Sequence, residues 1–149
     1  MYGDIYFLLM TNLNPEIVRA EVARFWSAFI GKSAEALEEF YAHESSVFGS
    51  TANRAEPGRL AATRRKREYF NPQATLRAQP GIVDVVMIGD QAAVASYNFQ
   101  FHASKIASST SKATEERFTN GRATQVFGID SDGSIRIFHE HFSLPSVVG

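Results

Sequence analysis

Val18, Val22, Phe25, Trp26 and Phe29 recur at three- and four-residue spacing, the stripe of one helix face. Asn14-Pro15-Glu16 ahead of them supplies an N-cap, a proline at the first helical position and an acid in the first turn, so a helix is predicted from there to about Ile30. Gly31-Lys32 breaks it. Ser33 is placed to cap a second helix over residues 34–41, whose Leu37, Phe40 and Tyr41 point toward the same core. Ser46-Val47-Phe48 reads as a brief strand, followed by a polar loop through Asn53 to Gly58. A third helix is predicted over residues 59–70 and ends at Asn71-Pro72, because the residue before a proline avoids the helical region.

Beyond Pro72 the apolar period becomes two, and four β segments are predicted over residues 76–88, 92–104, 114–128 and 134–144. Gly89-Asp90 joins the first pair and Asp132-Gly133 the last, both dipeptides that accept the positive φ of tight turns. Asn120-Gly121 marks an expected bulge or bend. The Ser-rich stretch 106–112 reads as a solvated hairpin connection, with a mobile lid as the alternative. Helices first and long antiparallel strands after them give an α+β fold. The helices are expected to pack into the concave face of a strongly curved, mostly antiparallel sheet, a cone with an internal pocket. Alternation sets Tyr97, Phe99 and Phe101 on one strand face, expected to look inward, and Asn98, Gln100 and His102 on the other.

Composition narrows the function classes. The 149 residues are 44% hydrophobic and 12% aromatic, enough for a sizeable core in one domain, taken as residues 14–149 behind an extension over residues 1–13. A net charge of -1 argues against a dedicated nucleic-acid or anionic-membrane binder. Without cysteine there is no disulfide, thiolate nucleophile, iron-sulfur cluster or cysteine-ligated zinc. The first ten residues lack the basic start of a signal peptide, and no run approaches the ~20 apolar residues of a membrane span. A cytoplasmic location is the expectation, and Met10 offers an alternative translation start just before the first helix.

The order of elements, together with Gly121-Arg-Ala-Thr-Gln-Val-Phe127, Asp132-Gly133 and Arg136-Ile-Phe-His-Glu-His-Phe-Ser143, resembles the SnoaL-like branch of the nuclear transport factor two-like superfamily. The closing His-x-His-x-Ser is also similar to the association domain of calcium/calmodulin-dependent kinase II. That superfamily holds isomerases, hydrolases, cyclases, binding proteins and scaffolds, so the resemblance implies a fold and leaves the activity to the pocket. Carried over from the ketosteroid isomerases, the helix-one tyrosine position falls on Phe25, the general-base position near Gly49 and the oxyanion-hole position on Gln125. Steroid isomerisation needs carboxylates there and is not expected. The pocket arginines of the association domain fall on Phe99 and Gln125, so an apolar ligand is favoured over an anionic one. The same counting turns Phe138, Glu140 and Phe142 inward and Ile137, His139 and His141 outward.

The expected pocket therefore comprises Phe25, Trp26, Phe29, Tyr41, Tyr97, Phe99, Gln125, Phe138 and Phe142, around Glu140. A lone carboxylate among Phe138, Phe142 and Phe99 would be desolvated and able to move protons near neutral pH, which makes Glu140 the catalytic candidate. The plainer alternative pairs it with Arg122 or Arg136 as a buried ion pair. Gln125 either donates to a ligand carbonyl or anchors Glu140, and Trp26 and Tyr41 either orient a ligand or simply pack. His139 and His141, with His102, have usable metal-ligand spacing, but a subunit interface explains them better, and neither a metal nor another cofactor is expected. Arg64-Arg65-Lys66-Arg67 suits a solvated face near a helix C-terminus. The expected partner is a small apolar or aromatic molecule, with neither nucleic acid nor membrane. Val126, Ile135 and Ile137 on one sheet face favour a homodimer. The competing reading is a non-catalytic dimerisation or interaction module.

Overall fold

The computed structural model describes residues 12–49, 53–106 and 114–144. Helix α1 spans Pro15–Ile30 and is capped as its sequence implies, Asn14 Oδ1 accepting from the Ile17 amide at 2.9 Å. Helix α2 covers Ala34–Glu38 with Ser33 as its cap. Strand β1, Tyr41–Phe48, and the two-residue β2, Glu56–Pro57, precede helix α3, Arg59–Arg67. The rest is sheet: β3 Ala74–Pro80, β4 Asp84–Ile88, β5 Ala92–Ile106, β6 Thr114–Ile129 and β7 Ile135–Ser143.

The α+β expectation holds: the strands form one sheet in the order β2-β1-β7-β6-β5-β3, and β4 pairs with the other end of β5. Every pairing is antiparallel except β1 with β7. Along β5 the odd positions Ala93, Ala95, Tyr97, Phe99, Phe101 and Ala103 are buried. They face α1, whose Val18, Val22, Phe25, Trp26 and Phe29 form the matching buried stripe. Phe25 is fully buried and makes edge contacts with Trp26, Phe40, Tyr41 and Phe142. Burying large rings edge to face supplies both area and favourable quadrupole geometry. Gly89 and Gly133 adopt positive φ of 63° and 83°, as the two turn dipeptides require.

Three expectations about the elements are corrected, and two about side chains with them. The second helix stops at Glu38 instead of Tyr41, because the chain there is drawn into the sheet: Phe40 O accepts from the Ile137 amide and Tyr41 pairs with Ile137. The segment predicted over 76–88 is two strands, broken around Gly81, whose amide turns to Asn98 O at 2.7 Å. Asn120-Gly121 makes no bulge, since β5 and β6 pair without interruption from Ala92↔Gly128 to Ile106↔Thr114. Gly121 has a steric reason instead: a Cβ there would lie under 3.0 Å from three atoms of the Phe99 ring. The bulge is on β7, where Phe127 pairs with Ile137 but Val126 with His139, leaving Phe138 as the extra residue.

That bulge reverses two side chains. Ile137, expected outside, is fully buried. Phe138, expected in the pocket, lies on the outer face over Gly128, where a Cβ would come 2.9 Å from its Cε2. The stretch read as a hairpin connection or lid falls mostly in 107–113, and the Met10 start in 1–11, both outside the described residues. No helix among the described residues is long and apolar enough to cross a membrane.

Candidate functional site: an aromatic cavity backed by a polar chain

Inside the cone, α1 contributes Phe25, Trp26 and Phe29, β5 contributes Phe99 and Phe101, and β7 contributes Phe142 to the wall of a cavity of about 150 Å³. The rings are mutually packed: Trp26 stacks on Phe142 at 5.9 Å and 13°, and Phe99 lies 4.8 Å from Trp26 and 5.2 Å from Phe142. Arg65, Lys66, Glu68 and Tyr69 from α3 and the turn after it, with Arg117 and Thr119 from β6, also line it. Space of this order accommodates a single six-membered ring.

Behind the rings runs a chain of hydrogen bonds. Trp26 Nε1 donates to the Tyr97 hydroxyl at 2.9 Å, and that hydroxyl donates to Gln125 Oε1 at 2.7 Å. Gln125 Nε2 donates to Glu140 Oε1 at 2.8 Å, and the Tyr41 hydroxyl lies 2.9 and 3.0 Å from the two carboxylate oxygens. Lys66 Nζ completes the set with an ion pair to Glu140 Oε2 at 2.7 Å. Glu140 and Gln125 are fully buried, and the Lys66 side chain is 11% exposed. A buried charge is tolerable when paired and hydrogen-bonded in this way. Burial, with the Glu140 carboxylate alongside, holds the Tyr41 hydroxyl well above the ordinary tyrosine value. Burial does the same at Tyr97, against the opposing hydrogen bond from Trp26. Both hydroxyls keep their protons and serve as donors.

The partner of Glu140 is therefore Lys66. Arg122 instead reaches Ser143 Oγ and the Leu144 carbonyl, and Arg136 holds Glu39 O, Asp130 and Asp132. Within the basic run, Lys66 turns inward because it lies on the α3 face of Ala62 and Thr63, the helix's buried residues. Its aliphatic stem follows that face, its ammonium also donates to Ala62 O at 3.0 Å, and it lies 4.6 Å from the Phe142 ring centroid. The signal was present as the four-residue spacing from Ala62 to Lys66, outweighed by the charge of the neighbouring arginines.

The structure brings Phe25, Trp26, Phe29, Phe99 and Phe142 together around the cavity. It sets Tyr41, Tyr97, Gln125 and Glu140 in the polar chain, one layer away from that lining. Phe101, Tyr69, Lys66 and Arg117 line it without having been singled out for it, and Gly49 lines it without a functional group. On the outer face, His139 Nδ1 is 2.8 Å from Ser46 Oγ, and His102 stacks on Phe118 at 4.2 Å. Among the described residues no group of three or more histidine, aspartate or glutamate side chains is placed to hold a metal.

A fold of this topology agrees with the comparisons to known proteins. Residues 18–146 match the family model of the SnoaL-like domain, and the chain belongs to that family. Among solved structures it is similar to a candidate calcium/calmodulin-dependent protein kinase II association domain from Xanthomonas campestris, at 15% identity, TM-score 0.72 and 91% of each chain covered. A candidate dehydratase of the nuclear transport factor two-like family from Streptomyces avermitilis aligns at 16% identity and TM-score 0.72, over 87% of this chain and 95% of that one. A superfamily protein from Salmonella enterica aligns at 20% identity and TM-score 0.66, over 90% and 92%. None of the curated proteins matches this sequence.

Proposed function

We propose that this SnoaL-like chain binds a small aromatic molecule in the cone cavity, with the Lys66 ammonium as the polar contact inside it. The observation that carries this reading is the space of about 150 Å³ walled by seven aromatic side chains and Lys66. An ammonium has three donors. Lys66 gives one to Glu140 and one to Ala62 O, which leaves the third for the side of Phe142 and the cavity. The proton-transfer role first assigned to Glu140 then belongs to the Lys66–Glu140 pair: Lys66 hydrogen-bonds or protonates an oxygen of the ligand, and Glu140 holds the lysine in place.

Trp26 is the sole tryptophan and lines the cavity, so its fluorescence is a direct probe. Titration with benzyl alcohol should give a saturable change in Trp26 emission and a rise in Tm, both weakened by Phe99→Ala. Neither response with benzyl alcohol, in a protein that melts cooperatively, would remove the aromatic-ligand reading.

The likeness to a kinase II association domain supports a second reading, an oligomeric module assembled through the outer sheet face. Half-buried Phe48, Val126, Phe138 and His139 lie on that side. Analytical ultracentrifugation tests it: a homodimer at micromolar concentration is expected, and a monomer there overturns it.

A further inference from the structure

We infer that the ligand of this cavity is an aromatic α-amino acid in its zwitterionic form, its ring among the phenylalanines and its ammonium and carboxylate at the mouth beside Glu68 and Arg117. The inference rests on the aromatic-ligand reading above and adds the polar end of the ligand. The interior offers no net charge, because Lys66 is answered from behind by Glu140 at 2.7 Å. At the rim, Arg65 is engaged in an interaction of its own. One anion and one cation remain, Glu68 and Arg117, both exposed and both lining the cavity.

Their positions keep them apart. Glu68 is the C-cap residue of α3, whereas Arg117 sits on β6 opposite the buried Ala103. Among the described residues they form no ion pair with each other or with another side chain, and the Arg117 guanidinium stands over the Tyr69 ring, 5.9 Å from its centroid. Glu68, Tyr69 and Arg117 also line a wider, open space of about 560 Å³ that adjoins the cavity on its solvent side. Glu116 reaches that space too, but its carboxylate lies 3.7 Å from His102 Nε2 on the outer face.

A ligand with only a carboxylate meets Glu68 as well as Arg117, and one with only an ammonium meets Arg117 as well as Glu68, so repulsion offsets each attraction. A group that carries both charges on one carbon satisfies the two together. The guanidinium takes the carboxylate through paired N–H donors, and Glu68 accepts from the ammonium. The ring fills the inner part, where Trp26, Phe99 and Phe142 pack within 6 Å of one another. Both charges stay at the wet mouth, so neither is desolvated, and their contribution is modest and sensitive to salt.

L-phenylalanine, phenethylamine and hydrocinnamate share the ring and carry both charges, only the cation and only the anion, so isothermal titration calorimetry with all three at neutral pH tests the assignment. L-phenylalanine should bind about fivefold more tightly than either analogue at low salt. The gap should narrow at about 0.3 M sodium chloride. In Glu68→Gln the advantage over hydrocinnamate should vanish, and in Arg117→Gln the advantage over phenethylamine. Both substitutions are at exposed positions, so folding is not at stake. L-phenylalanine binding no more tightly than an analogue overturns the zwitterion assignment and leaves the aromatic-ligand reading standing, as does binding of none of the three where benzyl alcohol gives its fluorescence response. An advantage that persists in either variant overturns the placement of the charges at Glu68 and Arg117. Binding of none of these compounds, benzyl alcohol included, overturns both readings.

Discussion

The two halves of the cone interior solve opposite problems. In the closed half, the side chains of Trp26, Tyr97, Gln125, Glu140, Tyr41 and Lys66 partner one another, and the charge pair is shielded from solvent. In the open half the rings of Trp26, Phe29, Phe99, Phe101 and Phe142 contact one another around unfilled space. The first is rigid because removing any one member strands a polar group in a poorly hydrated site. The second is tolerant, because dispersion contacts are individually small and are replaced when a ring shifts. Changes in the closed half should therefore appear as lost stability, and changes in the open half as altered binding.

The sharpest way to break the contrast is Glu140→Ala, which strands the Lys66 ammonium, the Tyr41 hydroxyl and the Gln125 amide. It should cost about 3–5 kcal/mol, read as a fall in Tm by circular dichroism. Combining Lys66→Met with Glu140→Leu should recover only the part of that loss due to the stranded ammonium, because the Tyr41 hydroxyl and the Gln125 amide still lose their acceptor. A double variant as unstable as the single would show that the stranded ammonium is not the source of the loss.

Alkaline pH attacks the same half. Tyr41 and Tyr97 are both held above the ordinary value of 10.0. Above that pH the unfolded chain releases two protons that the folded chain retains, so stability is intact below about pH 10 and falls as pH rises. The slope is about 1.4 kcal/mol per pH unit for each tyrosine. Ultraviolet tyrosinate absorbance from these two residues, assigned with Tyr41→Phe and Tyr97→Phe, should rise only together with unfolding. Titration of either within the folded protein would contradict their role as buried donors.

In the open half, Gly121→Ala places a methyl group against the Phe99 ring. A loss of about 1–3 kcal/mol is expected, along with weaker benzyl alcohol binding as the ring is driven toward the cavity. Adding Phe99→Leu should restore most of the stability, and its failure to do so would place the strain in the backbone. The smallest effect belongs outside both halves: Phe118→Ser, at a residue 76% exposed and stacked on His102, should change stability by less than about 0.5 kcal/mol and leave binding untouched.

The helix starts at Asn14 and Ser33, the turns at Gly89 and Gly133 and the inward face of β5 were all legible, because each depends on a few neighbouring residues. The same local rules read Gly121 wrongly: a glycine in a strand suggests a bulge, whereas here the cause is a ring from the adjacent strand. Phe138 and Ile137 were misplaced because strict alternation was carried through β7, and one extra residue exchanges the two faces. Glu140 and Gln125 are buried as the counting placed them, but the cation that meets Glu140 comes from a helix 74 residues earlier in the chain.

By itself, then, the sequence determined the class of fold, the aromatic character of the interior and the presence of a carboxylate within it. The first two follow from periodicity and capping, which act over one or two turns of chain, and the third from the register that the family resemblance implies. Only the tertiary structure decided that Lys66 rather than an arginine neutralises that carboxylate, and that four further side chains close the network around it. Those choices depend on how α3 is rotated and where β7 carries its extra residue, and such geometry is set by packing between distant segments.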